Sequence, residues 1–514
     1  MIDNLIMGFN ISLSLGNILL CFIGCTLGTI IGVLPGLGPT ATIAMLLSFT
    51  YKLDLTSAII MLSGIYYGAQ YGGTITSILL KIPGEASTIV TIIEGYQMAL
   101  QGNAGKALGI AAFGSFIAGT FGTIGLGLLA PPLSKFALMF GPPEYATLMV
   151  MGLTMVIYLG SGSTSKSVLM GAIGLGLGTI GMDPVNAVER FTFGSHSLTE
   201  GINMAILGMG LFGIGEILYM AESETARTLR DAVKCPDRLK ELLPDGKDWK
   251  MSIMPIFRGT LSGFLLGIIP GGGALIASFA SYTMEKRLAR DQSRFGKGAI
   301  EGVAGPESAN NSAVSGAFIP LLTLGIPSNV VMALLVGAFM LHGVTPGPLI
   351  MKEKPHVFWG VITSMYIGNV ILLILNIPLI RLFVKIIEIP FALLSPLIVV
   401  VCAIGAYTIN NNSIDVVVMM IFGVVGYLLR KFDYEPAPLV LAFILGEILE
   451  KAVRKSLIIS QGNPFIFLSR PISLALFGGT LFLVLVLPIL RKLLKGWRVA
   501  SAIEKIKEYK SDED

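Results

Sequence analysis

The sequence predicts an all-α polytopic integral membrane protein in two pseudo-repeated, inverted halves with discontinuous or re-entrant helices. Three observations predict it. Of 514 residues, 53% are hydrophobic and only 13% charged, about half the charge of an average soluble domain, and mean hydropathy is +0.78. Apolar runs repeatedly approach or exceed the ~20 residues that cross about 30 Å of hydrocarbon. Two Gly/Pro clusters interrupt such runs in the same order in each half. Roughly ten to twelve membrane elements follow, some of them not spanning.

In chain order, the apolar runs fall at residues 13–34, 107–130, 202–221, 357–380, 395–409, 414–429 and 474–490. Residues 1–20 hold no Lys or Arg, so no cleaved signal peptide is predicted and the first segment is expected to stay. Residues 1–221 form the first membrane half. A mixed-charge polar linker, 222–255, carries the turn signals Cys235-Pro236 and Pro244-Asp245-Gly246. Residues 256–490 form the second half and 491–514 a basic tail. Lys286, Arg287, Arg290, Arg294 and Lys297 crowd one loop, and Arg491, Lys492, Lys495 and Arg498 open the tail. The positive-inside rule assigns both to the cytoplasm.

The breaks come in pairs. Gly32-Val33-Leu34-Pro35-Gly36-Leu37-Gly38 is echoed by Gly267-Ile268-Ile269-Pro270-Gly271-Gly272-Gly273, and Ile82-Pro83-Gly84 by Ile326-Pro327-Ser328. Gly72 stands against Gly316 and Leu80 against Leu324 in the flanking apolar stretches. Backbone that leaves the helix at membrane depth survives only where protein, water or a ligand satisfies its polar groups. Matched breaks in two halves are therefore the sequence pointer to a midplane site in a secondary transporter. The basic loop after the second break has no counterpart at residues 51–56, which favours opposite orientation of the halves.

A half-helix beginning after such a turn aims unpaired N–H groups into the break, where an anion fits. The backbone at Pro35, Gly36, Leu37, Gly38, Pro83, Gly84 and Pro270 to Gly273 is expected to face a carboxylate. Thr40, Thr42, Ser87, Thr88, Ser328 and Asn329 would orient it, with Lys81 either meeting the anion or snorkelling. Glu307, Asn310 and Asn311 share one helical face; with Gly72, Gly73, Thr74 and Pro327 they are expected to line the cavity or the site of a coupling cation, Na⁺ held by backbone carbonyls, or H⁺. No cofactor and no structural metal is expected. Tyr66, Tyr67 and Tyr71 read as interfacial or packing aromatics.

Catalysis has little support. His196, His342 and His356 form no spaced cluster, the four cysteines make neither a disulfide framework nor a zinc pattern, and no Walker A sequence or nucleophile elbow occurs. An intramembrane enzyme acting on a lipid-linked phosphate is the remote alternative, since glycine-rich breaks also hold phosphate.

Long ordered stretches resemble the large membrane subunit of the tripartite tricarboxylate transporters, the TctA family. They include "GVLPGLGPTATIAMLL", "YGGTITSILLKIPGEAS", "EGYQMALQGNAGKALGIAAFGS", "DPVNAVERFTFG", "IIPGGGALIASFASYTMEKR", "GPESANNSAVSGAFIPLLTLGIPS", "HGVTPGPLI" and "YEPAPLVLAFILGEILEKAVRKSLIISQGN". The resemblance implies a bacterial inner-membrane permease working with a small TctB-like membrane subunit of about four helices and a periplasmic TctC-like solute-binding protein. Citrate-like tri- or dicarboxylates would enter with cations by alternating access, an elevator by analogy. A self-sufficient organic-anion symporter or antiporter is the rival within transport. The chain departs from the family's usual residues at Lys81, Glu85, Gln97 and Asn186-Ala187, which bears on the substrate.

Overall fold

The computed structural model describes residues 2–34, 38–159, 163–183, 186–195, 198–222, 239–386 and 391–494. Pro35, Gly36, Leu37 and the basic tail from residue 495 onward lie outside the described residues.

The first half opens with α1 (Ile2–Ser12), α2 (Leu15–Val33), α3 (Pro39–Thr50) and α4 (Leu55–Leu80). α5 (Ile89–Met98) follows a short 3-10 turn, Ala86–Thr88, and α6 (Ala104–Ala137) follows a π turn. Then come α7 (Pro142–Leu159) and α8 (Thr164–Leu177), the hairpin β1 (Gly181–Met182) and β2 (Glu189–Arg190), α9 (Met204–Gly208), a second π turn and α10 (Gly215–Glu222). The second half contains α11 (Gly246–Ile268), α12 (Gly273–Leu288), α13 (Glu301–Leu324), α14 (Val330–Leu341), α15 (Ile350–Glu353) and α16 (Pro355–Asn376). It closes with α17 (Ile380–Ile386), α18 (Phe391–Asn410), α19 (Ser413–Lys431), α20 (Ala437–Ile459), α21 (Ile466–Ser469) and α22 (Pro471–Leu494).

Among the described residues, seven helical stretches are long and apolar enough to span a membrane, and 39–50, 330–341 and 471–485 add shorter apolar helices. The 13–34 run divides: Leu13 and Ser14 separate α1 from α2. The linker is shorter than its polarity suggests. α11 begins at Gly246, because Asp245 accepts from the Lys247 and Asp248 amides while the Asp248 side chain accepts from the Asp245 N–H, a capping box that starts the helix inside the polar stretch.

Small residues fix the core. A Cβ on Gly24, Gly28 or Gly32 of α2 would lie 2.2–2.4 Å from carbonyl oxygens of Met61, Ile65 and Ala69 on α4. On Gly259, Gly263 or Gly267 of α11 it would lie 2.1–2.3 Å from those of Gly305, Ala309 and Ala313 on α13. Each pair thus runs side by side at the closest approach backbone permits, the small-xxx-small solution for packing without a hydrophobic drive between helices. α6 and α16 pack against these pairs. α12 folds back along both α11 and α13, whereas α3 leaves α2 for α14, α18 and the second π turn.

A second group of helices flanks this core. α20 packs on α7 and α8, and α22 on α7. One rim is tied by ion pairs among Asp183, Arg190, Glu450 and Arg454, three of them 2.7–2.8 Å long. Exposed Phe121, Leu128, Leu397, Val417 and Leu481 leave an apolar exterior of the kind lipid covers.

Candidate functional site

The first break has two parts. α2 ends at Val33, and Leu34 is extended at φ −88°, ψ 109°. Gly38 caps α3, whose first residue is Pro39, and the Thr42 hydroxyl donates back to the Gly38 carbonyl at 3.4 Å. Thr40 is half-buried beside it. α4 ends at Leu80, and Lys81 then takes the left-handed conformation, φ 60° and ψ 19°, with its side chain exposed. At the matching place after α13, Gly325 adopts nearly the same angles, 73° and 20°. Glycine takes this conformation without strain, and lysine does so only where its surroundings impose it.

What imposes it is the packing of the next residues. A Cβ on Gly84 would sit 2.0 Å from the Gly32 carbonyl and 2.6 Å from Gly73 Cα, so the turn after Pro83 is wedged between α2 and α4. Gly84 therefore serves close packing. Gly72 does the same, its Cβ position lying 2.2 Å from the Thr29 carbonyl, and Gly73 lies against Glu85. Glu85 caps the following turn, accepting the Ser87 N–H at 2.7 Å, while the Thr88 hydroxyl donates to the Glu85 carbonyl at 2.8 Å.

In the second half, α11 ends at Ile268, half-buried Pro270 follows, and Gly271 turns at φ +79°. Two amides expected to face an anion are committed within the protein: the Gly271 N–H donates to the Ser328 carbonyl at 2.9 Å and the Gly272 N–H to that of Ile269 at 2.9 Å. The physical reason is that a tight turn closes its own hydrogen bonds and pins the neighbouring break, which takes these two amides away from a ligand. Beyond buried Pro327, the Ser328 hydroxyl is buried without a partner. Asn329 caps α14 by accepting the Met332 N–H at 2.9 Å and donates its amide to the Tyr66 hydroxyl at 3.1 Å.

One turn of α4 reaches both breaks. Tyr66 bonds Asn329 of the second, and Gln70 lies within hydrogen-bonding distance of Ser87 from the first. The Ala86–Thr88 turn also packs on α12. Tyr66, Tyr67 and Tyr71 are accordingly buried in the core as packing aromatics; the Tyr66 hydroxyl meets Asn329 as a buried phenol usually requires, whereas that of Tyr71 is buried without a partner.

Beside this turn lies a buried polar network. Glu307 is wholly buried, and its carboxylate accepts from Thr74 at 2.7 Å, from Thr91, and from Asn310 at 3.3 Å. Asn311 donates to Ser115 at 2.8 Å and to the Asn310 side chain at 2.6 Å. A narrow crevice lined by Tyr71, Thr74, Ser115 and Asn376, among others, reaches this network. Thr74, Thr91 and Asn310, which donate to the Glu307 carboxylate, are all neutral. An ionised carboxylate so buried calls for a positive charge, as a proton or a cation. No group of three or more His, Cys, Asp or Glu suited to a metal occurs among the described residues, so a cation here would be held by hydroxyl, amide and carboxylate oxygens.

Three residues at the site stand outside the sequence expectations. Tyr66 and Gln70 sit in an apolar run that reads as core. Glu94, wholly buried, accepts from Tyr282 Oη, Gly298 N and Ala299 N, each at 2.8 Å, and from Gly296 N. Gly296 and Gly298, both at positive φ, turn these amides toward one carboxylate and tie the basic loop of the second half to α5. The available signal was a lone acid inside the apolar stretch "TIVTIIEGYQ", since intramembrane ionisable residues mark function or pairing.

Comparison with known proteins gives these features a family. Residues 18–441 match the family described as Tripartite tricarboxylate transporter TctA family. An Agrobacterium vitis protein of 52.8 kDa, described as lying in the TAR-I ttuC′ 3′ region, is 52% identical over 476 residues, 93% of this chain and 94% of its own. A second from the same organism, in the TAR-II ttuC′ 3′ region, is 55% identical over 216 residues, 42% of this chain and 89% of its own. No solved structure matches. The chain belongs to the tripartite tricarboxylate transporter TctA family and is a multi-pass membrane component of a transporter, not an enzyme.

Proposed function

We propose that the protein is the permease of a cation-coupled secondary transporter that imports citrate-like tri- or dicarboxylates across a bacterial inner membrane. A periplasmic TctC-like binding protein delivers the substrate, and a small TctB-like subunit completes the membrane complex. The observation that carries this reading is the meeting of the two broken elements over the Tyr66–Gln70 turn, with Glu307 beside it. Neutral donors there suit a cargo that must be both held and released, and a buried carboxylate suits the driving cation.

The contacts of α4 with α13 and with the break that follows it support inverted halves: Thr74 meets Glu307 within α13 and Tyr66 meets Asn329 beyond its C-terminal end, so residue numbers fall along α4 as they rise on the other side. The division between the glycine-packed core and the flanking α7, α8, α20 and α22 supports an elevator, the core moving against the flank. The test is uptake into liposomes holding the permease and its small subunit, with the binding protein added outside and Na⁺ and pH gradients set separately. Carboxylate accumulation that requires both the binding protein and one gradient supports the proposal. Uptake indifferent to the binding protein favours a self-sufficient symporter, and uptake indifferent to both gradients refutes coupling.

A further inference from the structure

We infer that Glu85, Ser87 and Gln70 form a proton-operated switch that exposes a carboxylate-binding amide only when a proton has been taken up. The inference rests on the organic-anion reading above and deepens it by naming the proton as a driving cation.

The Ser87 hydroxyl lies within hydrogen-bonding distance of two acceptor oxygens, Gln70 Oε1 and Glu85 Oε2. It has one hydrogen and cannot serve both. Two proton arrangements resolve the conflict. With Glu85 protonated, its carboxyl O–H donates to Ser87 Oγ, and Ser87 gives its own hydrogen to Gln70 Oε1. The Gln70 amide nitrogen then points away from Ser87 with both hydrogens free. This is the amide orientation found here, where Gln70 Nε2 is wholly buried and without a partner. With Glu85 ionised, the carboxylate is the stronger acceptor and takes the Ser87 hydrogen. Gln70 must then turn over, donating from Nε2 to Ser87 and leaving its carbonyl oxygen in the position the amide held.

The two states differ in what they offer an anion. An unpaired, buried N–H₂ group binds a carboxylate, and a buried carbonyl repels one. Proton uptake at Glu85 and carboxylate binding therefore promote each other, and by linkage each raises the affinity for the other equally. The proton bound with the substrate leaves with it, so one positive charge accompanies each anion through this switch. Tyr66 and Glu307 are the titratable groups whose fields meet Glu85 from α4 and α13, and Lys81 stands four residues before it. Glu94 on α5 and Tyr282 and Glu285 on α12 are bonded to partners of their own.

The experiment uses the full chain co-reconstituted with its small subunit and binding protein, with citrate and succinate as probes. Substrate exchange is measured at equal pH on both sides. Wild type should lose exchange by about tenfold between roughly pH 6 and pH 8, a coupling of ordinary size. Glu85→Gln, permanently uncharged, should exchange equally at both values and fail to accumulate either probe on a pH gradient. Gln70→Leu should weaken binding of the probes at both values. Should Glu85→Gln not assemble, Ser87→Ala cuts the relay and carries the same expectation of lost pH dependence. A Glu85→Gln or Ser87→Ala protein that keeps the wild-type pH profile overturns the switch while leaving the transport reading intact. A wild type that exchanges neither probe overturns the reading beneath it and the switch together.

Discussion

Replacing Glu94 with alanine should free the loop between α12 and α13 from the first half. One carboxylate there accepts from a buried phenol and from the Gly296, Gly298 and Ala299 amides. A hydrogen bond to a charged group contributes about 1.5–3 kcal/mol. Water can replace part of this at the loop amides, which flank exposed Lys297, but not at Tyr282, which is buried. A net loss of about 3 kcal/mol is then a conservative figure, equivalent to roughly a hundredfold in the loop's opening equilibrium. Glu94→Gln should cost nearly as much, since all four partners are donors and the amide offers one acceptor and an opposing N–H₂. The assay is the labelling rate of a cysteine placed at Ala299, which is 1% exposed, in a background without the native cysteines. Labelling should accelerate about a hundredfold in Glu94→Ala. Unchanged labelling in both variants would refute the reasoning.

Other consequences follow from packing and charge. Gly263→Ala puts a methyl 2.1 Å from the Ala309 carbonyl, so α11 and α13 must separate by about 1 Å at a cost of ~1–3 kcal/mol. Gly176→Ala on α8 meets nothing within 4 Å and should be neutral or slightly stabilising, which thermal unfolding in detergent will compare. Asp245 is held down to about 2 by the Lys106 ammonium and by the amides it caps. Its folded value lies below the ordinary carboxylate value, so the stability it adds is present above about pH 4 and lost as pH falls toward 2. The deficit of Asp245→Asn should accordingly be constant between about pH 5 and pH 8 and vanish only in strong acid. Arg454→Ala removes one of the two guanidinium groups that Asp183 and Glu450 share with Arg190, and should destabilise that rim in a salt-sensitive way, seen as a difference in unfolding temperature between low and high ionic strength.

Helix interruptions were legible because Gly and Pro act locally. α2 and α11 stop at the Gly/Pro clusters, and α4 and α13 stop before Pro83 and Pro327. Polarity was a poorer guide to boundaries: α11 extends through Lys247 and Lys250 because Asp245 caps it, and the α1–α2 break at Leu13-Ser14 contains neither Gly nor Pro. The site was legible only where residues sit on the breaks. Gln70, Tyr66 and Glu94 depend on partners 17, 263 and about 200 positions away, and no local pattern encodes such pairings. The Gly271 and Gly272 amides illustrate the converse, since spacing exposes an amide on paper and a neighbouring carbonyl removes it.

The central claim, carboxylate entry with compensating cations, is tested most directly by the charge moved per substrate. Each elementary charge crossing 100 mV is worth about 2.3 kcal/mol, so a trianion entering an inside-negative cell alone meets roughly 7 kcal/mol of opposition per 100 mV. Simultaneous recording of current and labelled-citrate uptake, across a membrane bearing the reconstituted complex, gives the ratio. The account predicts at least three cations per trianion, or two per dianion, and hence no net negative charge entering with substrate. A net inward movement of negative charge that scales with uptake would contradict it.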